Sequence, residues 1–235
     1  MFGLRIDEDT QDWVIDSFFW AIDNHLITPG TRAVHVTKSN FPAPNGPHQE
    51  VAQALIHAIQ KHLGIENQDI VAAPLNGLPA EYRHQYGQLS SVGGTWQSDG
   101  TQALITYDPE TITQRRAFLS TLVHEVMHHR LHMTALDMPG GPEAEELSTD
   151  LHCITTGFGA LQMQGAEEAG WQGYLRQETR AFAYAVFLLL TEPDSNTRDN
   201  GLPSRSSRLV KKASKLLRNR QDDMHELRDA LHSKG

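Results

Sequence analysis

The sequence predicts an α+β fold with a small antiparallel or mixed sheet and a mostly helical C-terminal half. Short runs of strand-forming residues lie at 70–73 and 101–107, between segments whose apolar residues recur every three or four positions. The chain has 235 residues, 39% of them hydrophobic, which suffices for a domain with its own core. We therefore expect a domain over residues 1–191, of which 101–191 form the core of the site, a linker over 192–203, and an amphipathic helix over 204–235.

The elements of the first half are separated by Pro- and Gly-rich segments. Gly64 follows an amphipathic run and is typical of a helix end, and glycines at 93–94 and 100 are typical of a hairpin region. In chain order we predict a helix over 12–26, a strand over 31–37, a helix over 48–63, a strand over 70–73, an irregular, partly helical stretch over 75–86, and a strand over 101–107.

The second half is predicted to be helical. A Met-Pro-Gly-Gly-Pro segment interrupts it at 138–142, and Gly157 and Gly159 are expected to end a helix whose apolar stripe is Leu147, Leu151, Ile154 and Phe158. The predicted helices cover 113–132, 143–155, 177–191, which is apolar nearly all round, and one long C-terminal segment.

Composition bears on location and partners. The longest apolar stretch, 181–190, is about half of what crossing a bilayer needs, and the single cysteine, Cys153, fits a reducing compartment. We therefore expect a cytoplasmic protein without a membrane partner. The net charge of −9 argues against a general nucleic-acid surface, although residues 204–221 carry seven Lys or Arg residues and no acid.

That basic segment leaves three interpretations open. It is a helix that packs its leucines on the domain and keeps a solvated basic face, a helix that binds a partner or dimerises, or an arm that binds phosphate. The last is the weakest, because the segment has no aromatic residues for base stacking.

Chemistry is predicted at a His-Glu-Val-Met-His run in the helix over 113–132. His124 and His128 are four residues apart, so both imidazoles lie on one helical face and can reach one Zn²⁺ ion. Glu125 projects beside them toward a water on that ion. A catalytic zinc takes three protein ligands and keeps one open position, so a third ligand is required.

The next predicted helix offers the third ligand. Glu146 and Asp150 are again four residues apart and flank the apolar stripe, so both can point toward the first helix. Because the phase of the helix is uncertain by one residue, Glu145 and Glu143 remain rivals, Glu145 the stronger.

With these residues the chain resembles the gluzincins, the thermolysin-like zinc metallopeptidases with an HExxH motif followed by ExxxD. The resemblance covers about residues 101–158 and implies a zincin-like domain. It also implies that Glu146 is the third zinc ligand and that Asp150 accepts a hydrogen bond from the far ring nitrogen of His124. The strand over 101–107 resembles the family's edge strand, which pairs with an extended substrate.

The chain is also similar to compact bacterial HExxH proteins of unassigned activity. The shared segments are Thr-Asp-Leu at 149–151 and Gly-Phe-Gly at 157–159. This second resemblance implies no substrate.

Other zinc arrangements fit less well. The metzincin pattern requires a Gly and a third His where this chain has Leu131 and Thr134. His132 lies one further turn along the motif helix, too far to share an ion with both other histidines, and His129 points elsewhere. Met138 is interpreted as a packing residue.

A further donor is needed for the oxyanion of a hydrolytic reaction. Tyr174 is the first choice, in a Gly-Tyr-Leu turn before the helix over 177–191. Tyr184, Arg180 and His152 are the alternatives, and Tyr184 is better explained as a core residue, because it lies within an apolar helix.

The predicted function is zinc-dependent hydrolysis of peptide bonds, with Glu125 as general base and a peptide or protein as substrate. Two alternatives stay open. One is a zinc-containing binding or regulatory protein without catalysis, and the other is a zinc hydrolase of a non-peptide amide or ester.

Overall fold

A computed structural model describes residues 4–42, 46–75, 94–98, 102–132, 134, 137–170, 173–192 and 201–234. The helices, in chain order, are α1 (Glu8–Asp23), α2 (His48–Leu63), α3 (Arg115–Leu131), α4 (Glu145–Cys153), α5 (Gly159–Glu168), α6 (Gln177–Thr191), α7 (Ser204–Leu216) and α8 (Gln221–Ser233). The strands are β1 (Ile70–Pro74), β2 (Gly94–Ser98) and β3 (Ala103–Tyr107). The α+β class is therefore confirmed. Of the helices described, none is both long enough and apolar enough to cross a bilayer.

The sheet lies in a unit formed by the described parts of His35–Met133 and Gly165–Gln172. β3 is its central strand and pairs in parallel with β1, with Ile70 opposite Ala103. On its other side β3 pairs antiparallel with β2, with Gly94 opposite Tyr107. The sheet is thus mixed, and β2 forms the edge opposite β1 among the described strands.

Helix α2 covers the outer edge of β1. The side-chain amide of Gln53 donates to the carbonyl of Ile70 and accepts from the amide of Ala72, both at 2.8 Å. These bonds satisfy backbone groups that an edge strand otherwise leaves open. The predicted bounds of α2 are confirmed, because Gly64 ends the helix with a left-handed φ of 67°.

A second unit contains the described parts of Met1–Val34, Thr134–Gln164 and Gly173–Gly235. Its described residues form helices packed around α6, in which residues 179–188 are all buried. α1, α7 and α8 contact α6, and the apolar residues Val210, Leu217 and Leu227 of the C-terminal segment are buried. The apolar character of α6 all round therefore reflects contact on every side.

Of two predictions about the segments around residues 31–37 and 154–159, one was wrong. Residues 31–37 form no strand, and the amide of Val34 instead donates to the carbonyl of Gly157 at 2.9 Å. The predicted break at Gly157 is confirmed, because the backbone is non-helical at this residue, within the wide turn Ile154–Phe158. Helix α5, which follows the turn, was not predicted. Gly157 has a φ of +100°, and the carbonyl oxygen of Arg32 lies 2.5 Å from the position a Cβ would take, so only glycine fits.

The predicted apolar stripe and C-terminal helix also differ in detail. Leu147 is 38% exposed, whereas Leu151, Ile154 and Phe158 are fully buried. The C-terminal segment is two helices, α7 and α8, joined by a 3₁₀ turn at Leu217–Asn219. The predictions over 76–86, the turn at 99–101 and most of the linker at 192–203 lie outside the described residues, so the domain boundaries stay predictions.

Candidate metal centre

Helix α3 brings the two motif histidines together. The Nε2 atoms of His124 and His128 lie 3.1 Å apart, and the ring planes are inclined by 79°. Two ligands at about 2.1 Å from a tetrahedral ion are separated by about 3.4 Å, so this spacing fits a shared Zn²⁺ ion. His124 is only 5% exposed, within a stretch of α3, residues 122–127, that is buried throughout.

Glu125, a residue of α3, packs against the edge strand β2. It is 4% exposed, and its Cγ lies 3.2 Å from the position a Cβ at Gly94 would take. That Cβ would also lie 2.9 Å from the methyl group of Thr121. A glycine at this position therefore allows β2 to approach the motif helix closely.

Trp96 of β2 packs against the histidines of α3. Its ring centroid is 6.5 Å from that of His128, with the planes inclined by only 12°, and 4.7 Å from that of His132. The buried indole Nε1 has no hydrogen-bond partner among the described residues. We did not predict this contact, since Trp96 is far from the motif in sequence and residues 93–100 showed only a hairpin signal.

His129 also packs on Trp96, with ring centroids 6.0 Å apart. Burial lowers the pKa of His129, and the neighbouring His132 lowers that pKa further. His129 belongs to no metal-ligand group among the described residues, which agrees with the prediction that it is not a zinc ligand. His132 is exposed at the end of the same helix.

The predicted third ligand belongs to a group with the two histidines. One ligand atom each of His124, His128 and Glu146 lies within 4.8 Å of the others, and Glu146 is partly buried. Two imidazoles and a carboxylate are a donor set that zinc accepts. Neither rival, Glu143 or Glu145, belongs to such a group among the residues that the structure describes.

Asp150, one helical turn beyond Glu146, anchors the Gly-Tyr-Leu turn. Its Oδ2 accepts hydrogen bonds from the backbone amides of Tyr174 and Leu175, each at 3.0 Å, and from Nη2 of Arg180 at 2.7 Å. Asp150 and Arg180 are each about 4% exposed at the side chain. The bond from His124 to Asp150 stays a prediction.

Tyr174, the predicted oxyanion donor, has a half-exposed side chain on this anchored turn, with 38% of its surface accessible. The other candidates are buried: Tyr184 and His152 are fully enclosed, and Arg180 is paired with Asp150. Exposure therefore favours Tyr174 among the four, although its role stays a prediction.

The chain was compared with protein-family models, with curated proteins and with solved structures, and none of the three comparisons found a match.

The strand at the edge of the sheet beside the motif helix is not the predicted one. The strand over 101–107 was expected at the edge of the sheet, but β3 lies between β1 and β2. β2 contacts α3 through Gly94 and Trp96, and the central strand β3 also contacts α3, with the ring centroids of Tyr107 and Phe118 5.4 Å apart. Among the described strands, β2 and not β3 is therefore the edge strand beside the motif helix.

Proposed function

We propose that this chain is a zinc-dependent hydrolase with a zincin-like domain, and that it acts as a metallopeptidase on peptide or protein substrates. The observation that carries the proposal is the group formed by His124, His128 and Glu146, with ligand atoms within 4.8 Å of one another. These residues would hold the ion through two imidazole nitrogens and one carboxylate oxygen. A zinc ion bound there supplies a Lewis acid that polarises a carbonyl group and activates water at neutral pH.

Glu125 is the proposed general base. It is adjacent in sequence to the first ligand, it is buried, and its Cγ packs close to Gly94 of β2. In the reaction its carboxylate takes the proton of the attacking water and later donates it to the leaving amine. Its role requires a carboxylate, so the isosteric amide cannot replace it.

Two further residues support a peptidase. The Tyr174 hydroxyl is the proposed donor to the developing oxyanion, and Asp150 fixes the backbone of its turn from the helix that carries Glu146. β2 presents an edge next to the motif helix, and an extended peptide pairs with such an edge through main-chain hydrogen bonds. The strand edge suits an extended peptide better than a small ester, whereas a Tyr174 donor would serve either substrate.

A cleavage comparison tests the enzyme. Wild-type protein, Glu125→Gln and the control Glu110→Gln, which changes an exposed carboxylate before α3, are loaded with zinc and incubated with a peptide library. We expect cleavage by wild type and Glu110→Gln, none by Glu125→Gln, and equal zinc content in all three. The same series with amide and ester model substrates tests the non-peptide alternative.

Two outcomes would overturn this proposal. Equal cleavage by wild type and Glu125→Gln would remove Glu125 as general base. Full zinc content without turnover of any substrate by the wild type would favour a zinc-binding protein without catalysis.

A further inference from the structure

An apolar groove opens in the sheet-containing unit, and the motif histidines are not among its lining residues. It has a volume of about 1000 Å³ and is bounded by the segment 36–42, by α2 and by the beginning of α3. This volume is at the upper end of the range for small-molecule sites, about 300–1000 Å³. The groove can therefore accept a ligand with a long apolar portion.

The helical walls of the groove follow from residue spacing. Val51, Ala54 and Leu55 lie at positions i, i+3 and i+4 of α2 and share one face. Phe118 and Leu119 line the groove from α3 and are only 2% and 3% exposed, so the floor is closed. The lining from these two helices is thus mostly hydrocarbon.

The third wall is a structured turn. The amide of Phe41 donates to the carbonyl of Thr37 at 2.9 Å, and the side-chain amide of Asn40 donates to the carbonyl of His35 at 2.9 Å. Phe41 is buried, whereas Val36, which also lines the groove, is 41% exposed. A hydrophobic side chain that remains so exposed beside a groove is available for contact with a ligand.

Two cations, Lys38 and Arg115, stand at this apolar surface. Both are exposed, and neither has a hydrogen-bond or ion-pair partner among the residues that the structure describes. No carboxylate is found among the described residues that line the groove. The nearby Glu168 accepts from the backbone amides of Arg116 and Ala117 at 2.8 Å and caps the start of α3.

From this combination we infer that the groove binds an anionic amphiphile, a long-chain carboxylate whose tail lies on the apolar walls and whose head group lies between Lys38 and Arg115. The apolar lining accounts for the tail, and the two unpaired cations account for the sign of the head group. A neutral or cationic head would gain no charge-assisted contact from Lys38 or Arg115. The inference does not depend on the proposed zinc site.

Binding is tested with dodecanoate below its critical micelle concentration, added to the full chain and followed by isothermal titration calorimetry. The test variant is Lys38→Ala/Arg115→Ala. Its control is Lys61→Ala/Arg116→Ala, which removes equal charge from α2 and α3 outside the groove lining. All four side chains are exposed, so we expect both variants to keep the wild-type circular dichroism and melting temperature.

We expect the test variant to bind dodecanoate at least about tenfold more weakly than wild type and control, since two charge-assisted contacts are lost. Dodecyltrimethylammonium has the same tail and the opposite charge. It should bind wild type no more tightly than dodecanoate binds the test variant. Val36→Asp should also lower dodecanoate affinity by placing a like charge in the groove. No binding to wild type, equal affinity in both double variants, or equal affinity for the cationic amphiphile would each overturn the inference.

Discussion

Nη2 of Arg180 donates to Oδ2 of Asp150 at 2.7 Å, and both side chains are about 4% exposed. Removing one member of a buried ion pair leaves an uncompensated charge, which costs about 3–5 kcal/mol. We therefore expect Arg180→Met to lower the free energy of unfolding by about that amount in urea denaturation. Lys234→Met, which removes an exposed pairing with Asp23, should cost less than about 1 kcal/mol. Equal losses in the free energy of unfolding for the two substitutions would show that the buried pair contributes no more to stability than the exposed one.

The turn that carries Tyr174 depends on Gly173. This residue has a φ of +112°, and a Cβ there would overlap the guanidinium of Arg180. Gly170 has a φ of +74° with no atom within 4 Å of its Cβ position, so Gly170→Ala reports backbone strain alone, about 1–2 kcal/mol. We expect Gly173→Ala to cost at least about 1 kcal/mol more in the same unfolding experiment, because Arg180 must also move. Matching costs would argue against the contact.

Stability should depend on pH through His152. This residue is fully buried against Trp20, with ring centroids 4.9 Å apart, and burial lowers its pKa to about 3. Between pH 6.5 and 3 the unfolded chain binds a proton that the folded chain does not, so stability falls as pH falls. The slope is about 1.4 kcal/mol per pH unit for one proton, with a total on the order of 5 kcal/mol.

His152→Phe keeps an aromatic ring beside Trp20 and removes the titrating group. In urea denaturation at several pH values, the variant should lose less stability than wild type between pH 6.5 and 3. Parallel pH profiles for the two proteins would contradict a neutral buried His152.

Trp96 should affect metal affinity without binding metal. Its indole ring lies nearly parallel to that of His128, and partners that orient a ligand change metal affinity by about 10–100-fold. We expect Trp96→Ala to weaken zinc binding by about tenfold in a chelator competition, and Trp96→Phe to stay near wild type because it keeps an aromatic face. An unchanged affinity in Trp96→Ala would limit the residue to packing.

Sequence periodicity predicted the helix bounds well where local residues determine both ends of the helix. α2 begins and ends as expected because its apolar face and Gly64 are both local signals. The break at Gly157 was also predicted, but helix α5 after it was missed, and a glycine is required at this position by the nearby carbonyl of Arg32. That requirement involves a residue far away in sequence, so no local pattern reveals it.

The site shows the same division between local and distant information. The proximity of His124 and His128 follows from their spacing on one helix, which is a local property of the sequence. Trp96 and the pairing of Arg180 with Asp150 come from separate segments, and their contacts follow from tertiary packing. The order of the strands was missed for the same reason, since β1 and β2 join opposite sides of β3.

The central claim is that His124, His128 and Glu146 bind one zinc ion. Its most direct test is the zinc content of the full chain after incubation with zinc and gel filtration, measured by mass spectrometry for wild type, His124→Ala, His128→Ala, Glu146→Ala and the control His132→Ala. We expect about one zinc per chain in wild type and His132→Ala, and almost none in the other three. A wild type without zinc, or zinc retained equally by all five proteins, would contradict the account.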